Sequence, residues 1–256
     1  MLCLNGRPVP ITMFPDNTSQ VWKLDEWILK ETNFVYIEWK YSHEGEFLQL
    51  AQLKALLDTY KFQTALKLTY LPYGRQDKDV LNSATFALRP FASLLNFLAF
   101  DEVIIMDPHS KIALDLINNS RALYPVDKIY EVAKEVKSDI FCYPDEGAFN
   151  KYTDLLKGGH IYGEKIRDQL TGNITSYKLI GSANNQNVLI VDDICDGGAT
   201  FKILTKDLLA KGAKNVSLFV THGIFSKGVR SLIDSGITRV FTADGEVTAR
   251  NDSQNV

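Results

Sequence analysis

The sequence predicts an α/β protein built as two doubly wound parallel-sheet domains. Three observations predict it. Short apolar runs alternate with stretches of helical spacing along most of the 256 residues. The alternation comes in two series that meet near residue 126, giving expected domains 1–126 and 127–256. In the second series an apolar strand runs into two acids and a glycine-containing loop before the next helix. Open α/β sheets bind ligands at such strand ends.

In the first series, residues 34–39 (FVYIEW) are β-branched and aromatic and read as a strand. Residues 46–60 carry Phe47, Leu50, Leu53 and Leu57 near helical spacing. A strand is expected at 66–71 and a helix over 84–97. Pro90 starts that helix most easily, because the missing N–H does no harm in a first turn. A buried strand (VIIM, 103–106) and a helix (110–117) follow. The second series predicts helices at 128–136, 149–156, 199–211 and 227–235, and strands at 139–143, 188–191, 216–221 and 238–242. Such alternation implies parallel sheets covered on both faces. The halves show no close sequence repeat.

Residues 158–186 break the rhythm with Gly158, Gly159, Gly163, Gly172 and Gly181. They read as a flexible excursion, a hairpin with Thr171-Gly172-Asn173 at its tip and the character of a lid.

Composition narrows the function. The chain is 45% hydrophobic with a net charge of -3, which gives no sign of a nucleic-acid-binding surface. Its three cysteines, Cys3, Cys142 and Cys195, form no C-x-x-C pair, so neither a disulfide framework nor a zinc site is expected. No stretch approaches the ~20 apolar residues of a membrane span. The N-terminus lacks the basic-then-apolar pattern of a secretory signal. The expected setting is reducing and cytoplasmic, without membrane or nucleic-acid partners.

The strongest motif is VLIVDDICDGGAT, residues 188–200. Gly197 and Gly198 let backbone N–H groups approach an anion closely. The helix from Ala199 adds its positive end, and Thr200 adds a hydroxyl. A monophosphate fits there. Asp192 and Asp193 suit paired ribose hydroxyls or a metal. The plain alternative is a strand–turn–helix capped by Asp196.

This segment resembles the phosphoribosyl-diphosphate loop of type I phosphoribosyltransferases and of ribose-phosphate pyrophosphokinases. The resemblance implies that Asp196, Gly197, Gly198, Ala199 and Thr200 hold a 5-phosphate, with Asp192 and Asp193 at the ribose hydroxyls. Gly197 stands where the families usually have a small hydroxyl residue.

Further segments resemble the pyrophosphokinases alone. In LPYGRQDK (71–78), Arg75 can fork onto a polyphosphate and Gln76 can hydrogen-bond adenine or phosphate. Asp77 completes this ATP-binding segment, whose plain reading is a solvated Arg75–Asp77 pair. In MDPHS (106–110), extended backbone would put Asp107 and His109 on one side. The resemblance implies that His109 and Asp107 bind the magnesium–ATP unit. In YPDEGA (143–148), which alone reads as a Pro-Asp turn, it implies a diphosphate loop of Asp145, Glu146 and Gly147, with Asp145 on magnesium. Lys165 and Arg167 match the Lys-x-Arg of the family's catalytic lid. Phe14-Pro15-Asp16 is similar to a segment that packs on adenine from a neighbouring subunit, although Thr18 replaces the family's glutamate.

The matches run in family order from about Phe14 to about Thr242. They depart at the C-terminus, where Ala243-Asp244-Gly245-Glu246 replaces the usual segment and the last strand and helix are missing. The resemblance implies a magnesium-dependent homo-oligomer that moves the β,γ-diphosphate of ATP to the 1-hydroxyl of ribose 5-phosphate. A larger acceptor bearing ribose 5-phosphate, such as ADP-ribose, is the alternative substrate. A phosphoribosyltransferase would leave the other segments idle. A non-catalytic regulatory paralogue is opposed by the presence of Lys165, Arg167, His109 and Asp145.

Overall fold

The computed structural model describes residues 1–24, 33–79, 84–167 and 174–249, with backbone alone at 165–167 and 174–177. The chain divides into two compact units, Met1–Tyr124 and Pro125–Val256.

The first unit opens with four short strands, β1 (Leu2–Leu4), β2 (Arg7–Pro8), β3 (Ile11–Met13) and β4 (Ser19–Val21). There follow β5 (Phe34–Trp39), α1 (Glu46–Thr59), β6 (Gln63–Leu68), α2 (Leu88–Phe97), β7 (Glu102–Met106), α3 (Ile112–Leu116) and β8 (Ser120–Leu123). Its main sheet has the order β2-β1-β5-β6-β7-β8, with β5 to β8 parallel. Val35, Ile37 and Trp39 of β5 are buried together with Leu50, Leu53 and Leu57 of α1. The alternate positions Tyr36, Glu38 and Lys67 are only half-buried, and Lys67 pairs with Glu38 at 2.9 Å. Coverage of both sheet faces, as expected from the alternation, is therefore incomplete here.

Helix α2 begins two residues before Pro90, which sits in the first turn where no intrahelical donor is lost. Strand β6 lies three residues earlier than 66–71. Its pairing with β5 ends at Trp39–Leu68, and the chain then turns through Pro72.

The second unit comprises α4 (Val126–Glu135), β9 (Ile140–Tyr143), α5 (Glu146–Tyr152), β10 (His160–Arg167), β11 (Ile174–Ile180), β12 (Asn187–Cys195), α6 (Ala199–Ala210), β13 (Asn215–Gly223), α7 (Arg230–Ile233), β14 (Ile237–Thr242) and β15 (Gly245–Val247). Its sheet has the order β11-β10-β9-β12-β13-β14-β15, parallel except at the two edge strands. Both faces are buried. Val188 and Ile190 belong to one core cluster and Leu189 and Val191 to another, so the period of two along β12 separates the faces.

Three expectations are corrected. β12 continues through Asp192 and Asp193 to Cys195, because pairing with β13 extends to Cys195–Gly223. α5 begins at Glu146, not near 149, because Asp145 caps it. The 158–186 segment is not an excursion: β10 joins the sheet beside β9, and β11 pairs antiparallel with β10. The expected tip, Thr171-Gly172-Asn173, lies outside the described residues. Among the described residues no helix is long and apolar enough to cross a membrane.

Candidate functional site

In the second unit β9 is flanked by β10 on one side and β12 on the other, so the winding reverses at β9. Ligands bind at the carboxyl ends of strands at such a reversal. The chain leaving β9 there is Pro144-Asp145, and the end of β12 carries Asp192, Asp193 and the loop to α6.

The loop has the backbone geometry of an anion cradle. Gly198 is the N-cap of α6 and has φ +71°, a left-handed conformation suited to glycine. A Cβ there would lie 2.6 Å from Cδ2 of the buried Leu232, so the position excludes side chains on two counts. No side chain caps the helix, which leaves the first-turn N–H groups and the dipole for a ligand. Asp196 does not cap α6. Its Oδ1 accepts from the Ser226 hydroxyl at 2.5 Å. Gly197 is less confined: the nearest atoms to a Cβ there are in the Lys227 stem, at 3.5 Å. Ala199 and Thr200 open the helix, with Thr200 half-buried.

The two acids of β12 differ. Asp193 is buried, and its Oδ2 receives Lys151 Nζ from α5 at 3.1 Å. Asp192 is half-buried and accepts the Asp193 N–H at 2.9 Å. Desolvation raises the Asp192 carboxyl well above its usual range, and the charges of Asp193 and then Asp145 push the same way. Asp145 Oδ1 also accepts the Ala148 N–H at 2.9 Å. The expected diphosphate loop is thus an N-cap and the first turn of α5, with Glu146 and Gly147 exposed.

Asp145 and Asp192 offer hard oxygen donors whose repulsion a cation would relieve, while Asp193 already meets Lys151. That suits magnesium, which takes one or two carboxylates and completes its shell with phosphate and water. Among the described residues no group of three or more His, Cys, Asp or Glu is disposed to hold a metal by itself.

β10 outruns β9. Its pairing with β9 ends at Tyr162–Tyr143, and the strand continues to Arg167 paired only with β11. Those five further residues reach about 16 Å past the carboxyl end of β9 at strand spacing. Lys165 and Arg167 lie on this ribbon by register, opposite Tyr177 and Ile174.

In the first unit, Arg75 and Gln76 are exposed in the turn after β6. Asp77 is buried, which does not fit a solvated Arg75–Asp77 pair. The turn is fixed by Tyr73, at φ +62°, whose hydroxyl donates to Glu44 Oε1 at 2.5 Å. That bond, with some desolvation, pushes the Tyr73 phenol up to about 12.

Asp107 follows β7 with φ +42°, so the backbone is not extended and the expected alignment with His109 fails. Asp107 is buried and its N–H reaches Leu123 O at 2.9 Å, whereas His109 is exposed. Beside them Ser110 Oγ is buried without a hydrogen-bond partner.

Phe14 and Asp16 form the tip of the β3–β4 hairpin, which Gln52 of α1 fastens through Val21 N–H and Ser19 O, each at 2.9 Å. Phe14 is 40% exposed, enough for its ring to meet a ligand. Hydrogen bonds from the Thr18 hydroxyl and N–H lower the Asp16 carboxyl.

Sequence reasoning missed Lys151, Ser226 and Lys227. Lys151 was open to detection: it stands three residues after buried Ala148 and one before buried Tyr152, on the inward side of α5.

A scan against protein-family models finds no match. The chain is similar to ribose-phosphate pyrophosphokinase 4 of Saccharomyces cerevisiae, 30% identical over 210 residues, covering 75% of this chain and 62% of the yeast protein. It is 28% identical over 227 residues to ribose-phosphate pyrophosphokinase of Pyrococcus furiosus, covering 86% of this chain and 79% of the relative. Among solved structures it superposes on phosphoribosylpyrophosphate synthetase of Mycobacterium smegmatis with a TM-score of 0.73 and 18% identity, covering 92% of this chain and 79% of the other.

Proposed function

We propose, from its likeness to the ribose-phosphate pyrophosphokinases, that the chain is one of them and transfers the β,γ-diphosphate of ATP to the 1-hydroxyl of ribose 5-phosphate, releasing AMP. The observation that carries this reading furthest is the uncapped N-terminus of α6 at Gly198, beside Asp192 and Asp193 where the winding reverses.

The first-turn N–H groups of α6, backed by Gly197 and the Thr200 hydroxyl, hold the 5-phosphate. Asp192 faces the ribose hydroxyls, and Lys151 holds Asp193 in place behind it. The N–H groups at the start of α5 receive the diphosphate. ATP binds the first unit through Arg75 and Gln76, with Asp77 anchoring their turn and His109 at the polyphosphate. Phe14 packs on adenine, in a homo-oligomer of at least two chains, and Asp16 shapes the tip that carries it.

His109 in the first unit and Asp145 in the second are each proposed as magnesium donors, whereas Asp107 is buried and out of the expected alignment with His109. When bound, magnesium neutralises polyphosphate charge and lowers the pKa of the attacking hydroxyl. The 1-hydroxyl oxygen bonds to the β-phosphorus and gives up its proton to solvent as the bond from that phosphorus to the α,β-bridging oxygen breaks, and AMP carries that oxygen away. Lys165 and Arg167 stabilise the charge on the leaving oxygen and exclude water, which is where phosphoryl-type transfers gain most. A cytoplasmic location accords with Cys3, Cys142 and Cys195 standing as thiols.

A second acceptor is favoured by one observation. Gly197 brings no hydroxyl to the cradle, and the Lys227 stem lies beside it. An esterified 5-phosphate, as in ADP-ribose, carries less charge on that phosphorus and a further phosphate for a cation to meet. Incubating the protein with magnesium–ATP and each acceptor, then separating products, decides between them. A 1-diphosphate formed from neither acceptor would remove the proposal.

A further inference from the structure

The amino end of the second sheet carries a cleft that the proposed reaction does not use. Its walls are the C-terminal part of α4, the turn into β9 and residues 157–159 before β10. The cavity measures about 330 Å3. It lies at the opposite end of β9 from Asp145, so it is separate from the cradle.

Its lining is strongly cationic. Lys134, Lys137 and Lys157 all border it, against one carboxylate, Asp139. Asp139 Oδ2 is engaged by the Asn187 N–H at 2.7 Å. None of the three ammonium groups has an ion-pair partner among the described residues, whereas Lys128 of the same helix pairs with Glu131 at 3.0 Å. Three unpaired like charges around one cavity repel one another, and an anion removes that repulsion.

The neutral groups fit the same ligand. The Tyr130 hydroxyl accepts the Lys157 N–H at 2.5 Å, which leaves its own hydrogen to donate. Lys137 stands at φ +53°, where a helix end usually has glycine, and the Ser138 N–H closes the turn on Ala133 O at 2.8 Å. Lys61 takes a similar conformation just after α1, so the turn alone marks nothing. What distinguishes the cleft is three cations and a phenol around one volume.

We propose that this cleft binds a phosphate dianion, free or as a monoester, independently of the cradle. Net lining charge favours two negative charges, and tetrahedral oxygens can accept from several ammonium groups at once. The site does not depend on the proposed reaction, so the two stand or fall separately.

The test is a titration of the full-length protein with inorganic phosphate, and separately with AMP, read by glycine amide resonances. Gly158 and Gly159 report the cleft, and Gly197 and Gly198 report the cradle. Saturating shifts are expected at Gly158 and Gly159. They should weaken about tenfold or more in Lys134→Gln/Lys157→Gln, as loss of charge-assisted hydrogen bonds implies, and survive in Lys134→Arg/Lys157→Arg. Tighter binding of AMP, with added shifts at Tyr130, would assign the monoester, and equal affinity the free ion. Responses confined to Gly197 and Gly198, or equal affinity in the glutamine variant, would overturn the proposal. The cradle signals serve as an internal check that each variant is folded.

Discussion

Replacing Lys151 with methionine isolates the contact that organises the acidic end of β12. The Asp193 side chain is 5% exposed and that of Lys151 14%, with 3.1 Å between Nζ and Oδ2. Removing one partner of a buried pair costs about 3–5 kcal/mol, because the survivor stays charged and loses its counter-ion. Lys151 retains some solvent, so about 2–3 kcal/mol is expected for Lys151→Met. Asp193→Asn in the same chain removes the carboxylate that has lost its counter-charge and should recover at least half of that loss, a coupling of about 1 kcal/mol or more. Urea unfolding at neutral pH with EDTA, followed by far-UV circular dichroism, measures both. All three tryptophans precede residue 40, so their fluorescence reports the first unit separately. A cost below about 0.5 kcal/mol, or a double variant no more stable than Lys151→Met, would refute the reasoning.

Gly198→Ala combines a left-handed backbone with a Cβ 2.6 Å from buried Leu232. Strain and overpacking together should cost about 2–4 kcal/mol in the same urea assay and weaken acceptor binding far more than ATP binding. Asp192 has a carboxyl raised above the unfolded value of 3.8. The folded chain therefore holds more protons than the unfolded chain between the two values, and stability falls as pH rises through that window. Asp192→Asn should be more stable than wild type at pH above the window, and the gain should shrink toward acid, measured in EDTA. A variant less stable at neutral pH would sink this reading. Lys165→Ala should lower kcat far more than it raises the KM for ATP, as expected of a group acting in the transition state. Equal losses would contradict that role.

Much of the fold was legible because its central elements are locally patterned. β5, α1 and α6 follow directly from their apolar spacing. β1 to β4 were not legible: each has two or three residues, and β1 depends on pairing with Ile37–Trp39, more than thirty residues away. The start of α5 was missed because Asp145 was read for its charge, not as a cap. At the site, the turn into α6 could be read from glycine placement, since Gly198 is demanded by the backbone. The inequality of Asp192 and Asp193 could not, because it arises from Lys151 on a different element, which no spacing within 188–200 encodes. Asp107 and His109 diverge for a local reason, the left-handed Asp107, which Asp tolerates better than most side chains.

The chemistry itself is tested by 31P spectra of a reaction containing the protein, magnesium, ATP and a ribose 5-phosphate acceptor. AMP and a sugar 1-diphosphate should rise in equal amounts, and neither should form when acceptor or magnesium is left out. Formation of ADP and phosphate instead, or AMP released with no diphosphate on the sugar, would contradict the account.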